Sequence, residues 1–234
     1  MRKTPLRLGR LLVVAFALAG AARAQETQED WRVTIEPYVW VPALEGEGSA
    51  GGSPEVDFEI DYPGELSAAL PLALRIEAPS GHSFVLDGLY ARWTDDDGSI
   101  ETESEVSLVE AGAGVPVGEA WELVAGLRWI ELGLEVEIGG ADADAEESWI
   151  DPWIGARGDV PIGGSWSVRG GADVGGFGVG SDFTWQALGF LAWSSTSWRF
   201  DLGYRALSLR FDDDDLDTEL LAHGPILGVA FTFQ

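Results

Sequence analysis

Cysteine is absent from the 234-residue chain, so it can form neither a disulfide framework nor a lipid-modified N-terminal cysteine. Lysine occurs once, at Lys3, and histidine twice, at His82 and His223. From residue 25 onward every cation is an arginine, and there are nine of them against 40 Asp and Glu. The formal net charge of the whole chain is −26; setting aside the five basic residues of segment 1–24, which holds no acid, leaves −31. Such a chain repels nucleic acid, and no basic stripe offsets that repulsion. Long apolar runs are lacking too. Beyond residue 24 no stretch of 18 apolar residues occurs, which excludes a membrane-spanning helix. That absence does not argue for a water-soluble protein, because a membrane β-barrel hides its apolar surface in alternate positions. The 11 Trp and 31 Gly fit such a barrel.

Residues 1–24 read as a cleaved signal peptide. Arg2, Lys3, Arg7 and Arg10 form a basic start, Leu11 to Gly20 an apolar core too short to cross a bilayer, and Ala22-Arg23-Ala24 a small-x-small cleavage pattern. Residues 25–234 then form one all-β domain, expected to be exported.

Ten strand-like segments are legible: 31–41, 68–78, 83–93, 100–115, 121–138, 148–160, 165–177, 183–193, 197–211 and 219–233. The links between them alternate in character. Those after even strands are short and rich in turn residues, as in Pro79-Ser80-Gly81-His82 and Pro161-Ile162-Gly163-Gly164. An aromatic follows each of them: Phe84, Trp121, Trp166 and Trp198. Links after odd strands carry twenty Asp and Glu, and the even links carry one, Glu119. Short periplasmic turns, longer outer loops and aromatic girdles are features of outer-membrane barrels. The parity therefore predicts a transmembrane up-and-down antiparallel β-barrel of about ten strands, with eight or twelve as alternatives. Phe84, Trp121, Trp166, Trp198 and Phe233 would form its periplasmic girdle.

Alternation within the strands assigns the faces. Trp166, Val168, Gly170, Ala172 and Val174 share one side of their strand, and Arg169 and Asp173 the other; Trp198, Phe200, Leu202 and Tyr204 likewise oppose Arg199, Asp201 and Arg205. Apolar residues facing out and polar ones facing in is the membrane arrangement. It directs Glu36, Arg75, Glu77, Asp87 and Glu110 into the lumen, together with Arg128, Asp151, Arg157 and Asp159, and with Arg169, Asp173, Arg199, Asp201 and Arg205. The segment 121–138 breaks step: Leu123, Ala125 and Leu127 are odd, whereas Ile130, Leu132, Leu134, Val136 and Ile138 are even. A bulge near Trp129-Ile130 would re-phase it; alternatively the strand leaves the bilayer there. Pro152 and Pro225, within strands, suggest local bulges. Segment 45–67 is either an outer hairpin extension or an inward-folded loop.

The ending Gly228-Val229-Ala230-Phe231-Thr232-Phe233-Gln234 resembles the C-terminal β-signal of bacterial outer-membrane proteins, carried here by Gly228, Phe231 and Phe233. It departs at Ile226, where a polar residue is usual, and at the extra Gln234. The opening Trp31…Pro37-Tyr38-Val39-Trp40-Val41-Pro42-Ala43-Leu44-Glu45-Gly46, with Val56-Asp57-Phe58 and the strand around Asp87, is similar to a group of small proteobacterial outer-membrane β-barrel proteins without an assigned reaction. The resemblance spans most of residues 25–234. It implies location and fold, and assembly by the outer-membrane insertion machinery.

Three kinds of chemistry are then open. Inward charges in a narrow barrel would plug it with ion pairs, or line a small pore for polar solutes. Catalysis would need His82, in a predicted periplasmic turn, or His223, near the acidic run Asp212–Asp215. The omptin proteases place an Asp two residues before a His, where this chain has Leu221. The acidic links, including Asp95-Asp96-Asp97, Asp142, Asp144, Glu146 and Glu147, match no EF-hand pattern. They form a solvated surface, or one bridged by divalent cations to lipopolysaccharide phosphates. The expectation is an integral outer-membrane protein of structural or surface-interaction role, in contact with lipid and lipopolysaccharide. It is not expected to be an enzyme or to need a cofactor or metal; a narrow porin is the alternative.

Overall fold

The computed structural model describes residues 31–50, 56–60, 65–69, 71–96, 100–138, 141–213 and 216–233. The predicted leader, Asp97, Asp214, Asp215 and Gln234 lie outside them. Thirteen strands are described: β1 (Arg32–Trp40), β2 (Ala43–Ala50), β3 (Val56–Ile60), β4 (Glu65–Ala69), β5 (Leu72–Glu77), β6 (Ser83–Asp96), β7 (Ile100–Val117), β8 (Trp121–Ile138), β9 (Ala141–Gly163), β10 (Trp166–Gly176), β11 (Phe183–Ser194), β12 (Trp198–Asp213) and β13 (Leu216–Phe233). Ten of them, β1 and β5 to β13, pair antiparallel in chain order, and β13 pairs back onto β1 from Val33↔Phe233 to Trp40↔Ile226. The sheet is thus a closed ten-stranded barrel. Closure pairs the backbone groups that an open sheet would leave at its edges. The end where β1 begins and β13 finishes is here named the base, and the opposite end the mouth.

Turns at the base are tight, with Gly81 and Gly118 in the left-handed region at φ +82° and +72°. The mouth differs from expectation. Much of the acidic sequence predicted as loops is strand: β9 starts at Ala141, β12 runs to Asp213 and β13 begins at Leu216. Pairing satisfies the backbone there whatever the charge of the side chains. Segment 45–67 contributes β2, which extends the wall by pairing with the start of β13 (Ala43↔His223 to Ala50↔Leu216), and β3, which pairs with β2. This is the hairpin extension rather than the inward loop.

No bulge re-phases β8. Its register runs unbroken against β7 from Val117↔Trp121 to Ile100↔Ile138, and against β9 from Trp121↔Gly158 to Ile138↔Ala141. Pro152 and Pro225 also sit in continuous register, opposite Leu127 and Tyr204. The Pro225 carbonyl accepts from the Val41 N–H across the Val41–Pro42 break between β1 and β2. Its ring nitrogen faces the same break, where no ladder donor is required.

The change of phase in β8 is instead a change of surroundings. Towards the base its inward residues are Glu122, Val124 and Arg128, and its outward residues Trp121, Leu123 and Leu127; next towards the mouth the inward residue is Ile130, fully buried, and the opposite face carries the charged Glu131, itself covered to 7% exposure. Its neighbours switch at the same level. Inward residues pass from Asp87 to Leu89 on β6, from Glu110 to Leu108 on β7, from Arg205 to Leu207 on β12 and from Tyr38 to Trp40 on β1. Outward residues pass from Val109 to Ser107 and Glu105 on β7, and end in Arg92 on β6. Along β6, β7 and β8 the lower wall is apolar outside and largely polar inside, with Val85, Val124 and Trp153 a small apolar cluster among the charges, and the upper wall is the reverse. On β8 the exposed apolar stretch runs from Trp121 to Leu127 and ends near Trp129, close to the 9–11 residues a tilted strand needs to cross a bilayer.

One close contact explains glycine in two strands. Gly112 on β7 and Gly126 on β8 are paired, and the Trp153 ring of β9 lies across them; a Cβ at Gly112 would fall 2.7 Å from the ring and at Gly126 2.8 Å. Gly112→Val should therefore cost about 1–3 kcal/mol, the usual range for overpacking. Urea unfolding of the refolded barrel in micelles measures this, and an unchanged midpoint would contradict the contact.

Candidate functional site

The lumen holds the densest polar chemistry among the described residues. At mid-height β8 supplies Arg128, whose side chain is 0% exposed. Its Nε donates to Glu110 Oε1 at 2.5 Å, Nη2 to Asp173 Oδ1 at 2.6 Å and Nη1 to Thr184 Oγ1 at 3.1 Å. Gln186 on β11 links this group to Arg205: its Nε2 donates to Asp173 and Glu110, and its Oε1 accepts from Arg205 Nε at 2.7 Å. Arg205 Nη1 donates to Tyr38 Oη at 3.0 Å, and Tyr38 Oη donates to Asp87 Oδ1 at 2.6 Å. Hydrogen bonds thus tie strands β1, β6, β7, β8, β10, β11 and β12 together across the barrel. Buried charges are tolerated only with such partners.

Nearer the base lie two wetter groups. Asp201, fully buried, accepts from Arg199 Nε at 2.7 Å and Arg169 Nη1 at 2.9 Å; Arg199 also reaches Glu36 at 2.7 Å, and Arg169 reaches Asp159 at 3.4 Å. Arg75 holds Glu122 through Nη1 at 2.6 Å and Nη2 at 2.9 Å, and touches Glu77 at 3.2 Å. Two sequence-predicted residues are engaged differently. Asp151 accepts from the Ser181 N–H at 2.7 Å and from the Ser181 hydroxyl at 2.8 Å, which fastens the β10–β11 turn. Arg157 lies over the Trp153 ring at 5.8 Å. Glu122, Tyr38, Thr184 and Gln186 were not foreseen as members. Glu122 was legible, since it alternates with Leu123. Thr184 and Gln186 were obscured because β11 also carries Leu188, Phe190 and Ala192 on its inward side.

Above this network the interior is apolar. Trp40, Leu89, Leu108, Ile130, Leu207, Leu209, Ala222 and Ile226 form one buried cluster. Against it lies a cavity of about 110 Å³ whose lining is almost wholly apolar.

On the outer wall Phe84, Trp121, Trp166, Trp198 and Phe233 are all exposed, at the base ends of their strands. Phe231 and Phe233 stack edge-to-face at 4.5 Å, Phe231 meets Trp198 at 4.7 Å, and Gly228 approaches Glu36 closely enough that a Cβ would lie 2.7 Å from its carboxylate. His82 contacts Ser80 in a base turn. His223 is outward and part-exposed. Its Nδ1 pairs with Tyr204 Oη at 2.5 Å and its Nε2 with Glu45 Oε1 at 2.9 Å, joining β12, β13 and β2. At the mouth Arg92 pairs with Glu105 across β6 and β7. No cluster of three or more His, Cys, Asp or Glu suited to a metal ion occurs among the described residues.

No family model and no curated protein matches the chain. Solved structures do. The outer membrane protease OmpT from Escherichia coli is similar over 89% of this chain and 99% of its own, with a TM-score of 0.54 and 9% identity. Ail, the attachment invasion locus protein of Yersinia pestis, is similar over 88% of this chain and 100% of its own, with a TM-score of 0.45 and 11% identity. The fold is that of outer-membrane β-barrel proteins.

Removing Arg128 strands two buried carboxylates. Arg128→Met should cost about 3–5 kcal/mol, the range for breaking a buried pair. Arg199→Met, nearer the water at the base, should cost less. Unfolding of both variants in lipid micelles compares them, and equal losses would contradict the ranking.

Proposed function

We propose that this chain is an integral outer-membrane protein with an occluded lumen, serving a structural or surface-interaction role. The lower apolar belt faces hydrocarbon, with Phe84, Trp121, Trp166, Trp198 and Phe233 as its periplasmic girdle and the acidic mouth outside. Residues 1–24 direct export. Gly228, Phe231 and Phe233 present the assembly signal to the insertion machinery, and lipid and lipopolysaccharide are the partners at the wall.

The observation that carries this reading is the full burial of Arg128, Asp151 and Asp201 within the lumen, with fully buried Ile130 above them. Side chains without accessible surface at the Arg128–Asp151 level, at Ile130 above it and at Asp201 below it support a lumen with no continuous water column for a solute. The Glu45–His223–Tyr204 chain is read as a clamp holding the β2 extension to the wall, not as a catalytic relay. Its hydroxyl is a phenol on the outer surface, away from the cavity lining.

Planar-bilayer recording tests the occlusion. The refolded wild-type protein should give no steady single-channel steps in molar potassium chloride. A uniform, lasting conductance would show an open path and favour the narrow porin.

A further inference from the structure

The apolar cavity above the network has properties that occlusion alone does not require. Its walls are Trp40, Leu44, Leu89, Ile130, Leu207 and Ala222 with their aliphatic neighbours, drawn from both sides of the barrel. At about 110 Å³ it approaches the size of the roughly 150 Å³ aliphatic cavity that stays dry and takes in benzene. Along its aliphatic lining water gains nothing, because a buried water needs two to four polar partners.

The polar atoms beneath the cavity are unusual. Trp40, 4% exposed, lines it, and its indole N–H has no hydrogen-bond partner. Arg205, 2% exposed, lies over the Trp40 ring at 5.0 Å. Two of its nitrogens are used by Gln186 and Tyr38, but Nη2 has no hydrogen-bond partner, with Glu110 at 3.9 Å the carboxylate recorded against it. Each buried donor left unmade costs about 1–3 kcal/mol. Trp40 and Arg205, stacked on one another, thus each carry an unpartnered donor at the level where the interior turns from polar to apolar. Both would be satisfied by an oxygen acceptor attached to something greasy.

Charge decides what kind of acceptor. The surrounding network already places three carboxylates, Asp87, Glu110 and Asp173, against two guanidiniums, Arg128 and Arg205. A further anion would enter a negative surplus, whereas an uncharged carbonyl or ether oxygen would not.

We propose that the mouth half of the lumen is a binding site for one uncharged, single-chain amphiphile. Its alkyl chain occupies the cavity, and its oxygen accepts from Trp40 Nε1 and Arg205 Nη2. This goes beyond the occluded-barrel reading and is tested apart from it, since ligand binding is measured without reference to conductance.

The test uses the full chain refolded into lipid nanodiscs, free of alkyl detergent, and fluorine NMR of methyl 8,8,8-trifluorooctanoate. One saturable, shifted resonance per chain is expected, above the partitioning into empty nanodiscs. Ala222→Phe, whose ring fills the cavity, should weaken binding at least about tenfold. If that variant loses its β circular-dichroism spectrum, Ala91→Leu on β6 fills the same space with a smaller change. The free carboxylate of the probe should bind at least about tenfold more weakly than the ester. Trp40→Phe, which keeps a ring and removes the donor, should weaken the ester but not 1,1,1-trifluorooctane. Binding no greater than to empty nanodiscs, or equal binding by a folded cavity-filled variant, would overturn the site. Tighter binding of the carboxylate, or no effect of Trp40→Phe on the ester, would overturn the assignment of its head group.

Discussion

A closed ring of strands gives every strand an inside and an outside, and side chains must alternate between them. Once the lower outer face is apolar, the polar residues between its members are forced inward, where water is scarce. The lumen network is the consequence. Arg128, Arg205 and Arg169 are not ornaments on a barrel; the alternation that gives Leu123, Leu127 and Phe200 their outward positions turns the arginines inward, Arg128 and Arg205 buried and Arg169 part-exposed. Each then needs a carboxylate within reach: Glu110 on the adjacent strand for Arg128, Asp87 across the lumen for Arg205, and Asp201 two strands away for Arg169.

The same constraint runs in reverse towards the mouth. On the proposed reading the wall leaves hydrocarbon near Trp129. The outward positions become Glu131, Ser107, Glu105 and Arg92, and the inward ones become Ile130, Leu108 and Leu89. The upper barrel then folds as a water-exposed barrel does, around an apolar interior. Charged lower lumen and apolar cavity are two halves of one rule applied in two solvents. A shift of register by one residue would turn both halves inside out.

Much of this was legible in the sequence. Loop-charge parity and alternation around Trp166 and Trp198 gave strand number and closure, because those signals depend only on local pattern. The inward charges were legible wherever an outward apolar run was clean, as for Arg169, Asp173, Arg199, Asp201 and Arg205. Two features were not. The apolar upper lumen reads as a lost phase at Ile130, and one chain cannot distinguish a bulge from a change of medium; the unbroken pairing with β7 and β9 decides it. The partners of Arg128 depend on Gln186 and Thr184, which lie more than fifty residues away on a strand with apolar residues on both faces. Only the closed ring brings them together. Acidic stretches read as loops because charge is a poor guide to strand ends once both faces meet water.

The central claim is that the wall changes solvent, and with it inverts its two faces, between Leu127 and Glu131. The absence of native cysteine makes site-directed spin labelling direct, with one label each at Leu123→Cys, Leu127→Cys and Glu105→Cys in lipid nanodiscs. Labels at 123 and 127 should be relaxed by oxygen dissolved in the bilayer, and the label at 105 by a water-soluble nickel complex. Nickel accessibility at 127 equal to that at 105 would place both in water and contradict the account.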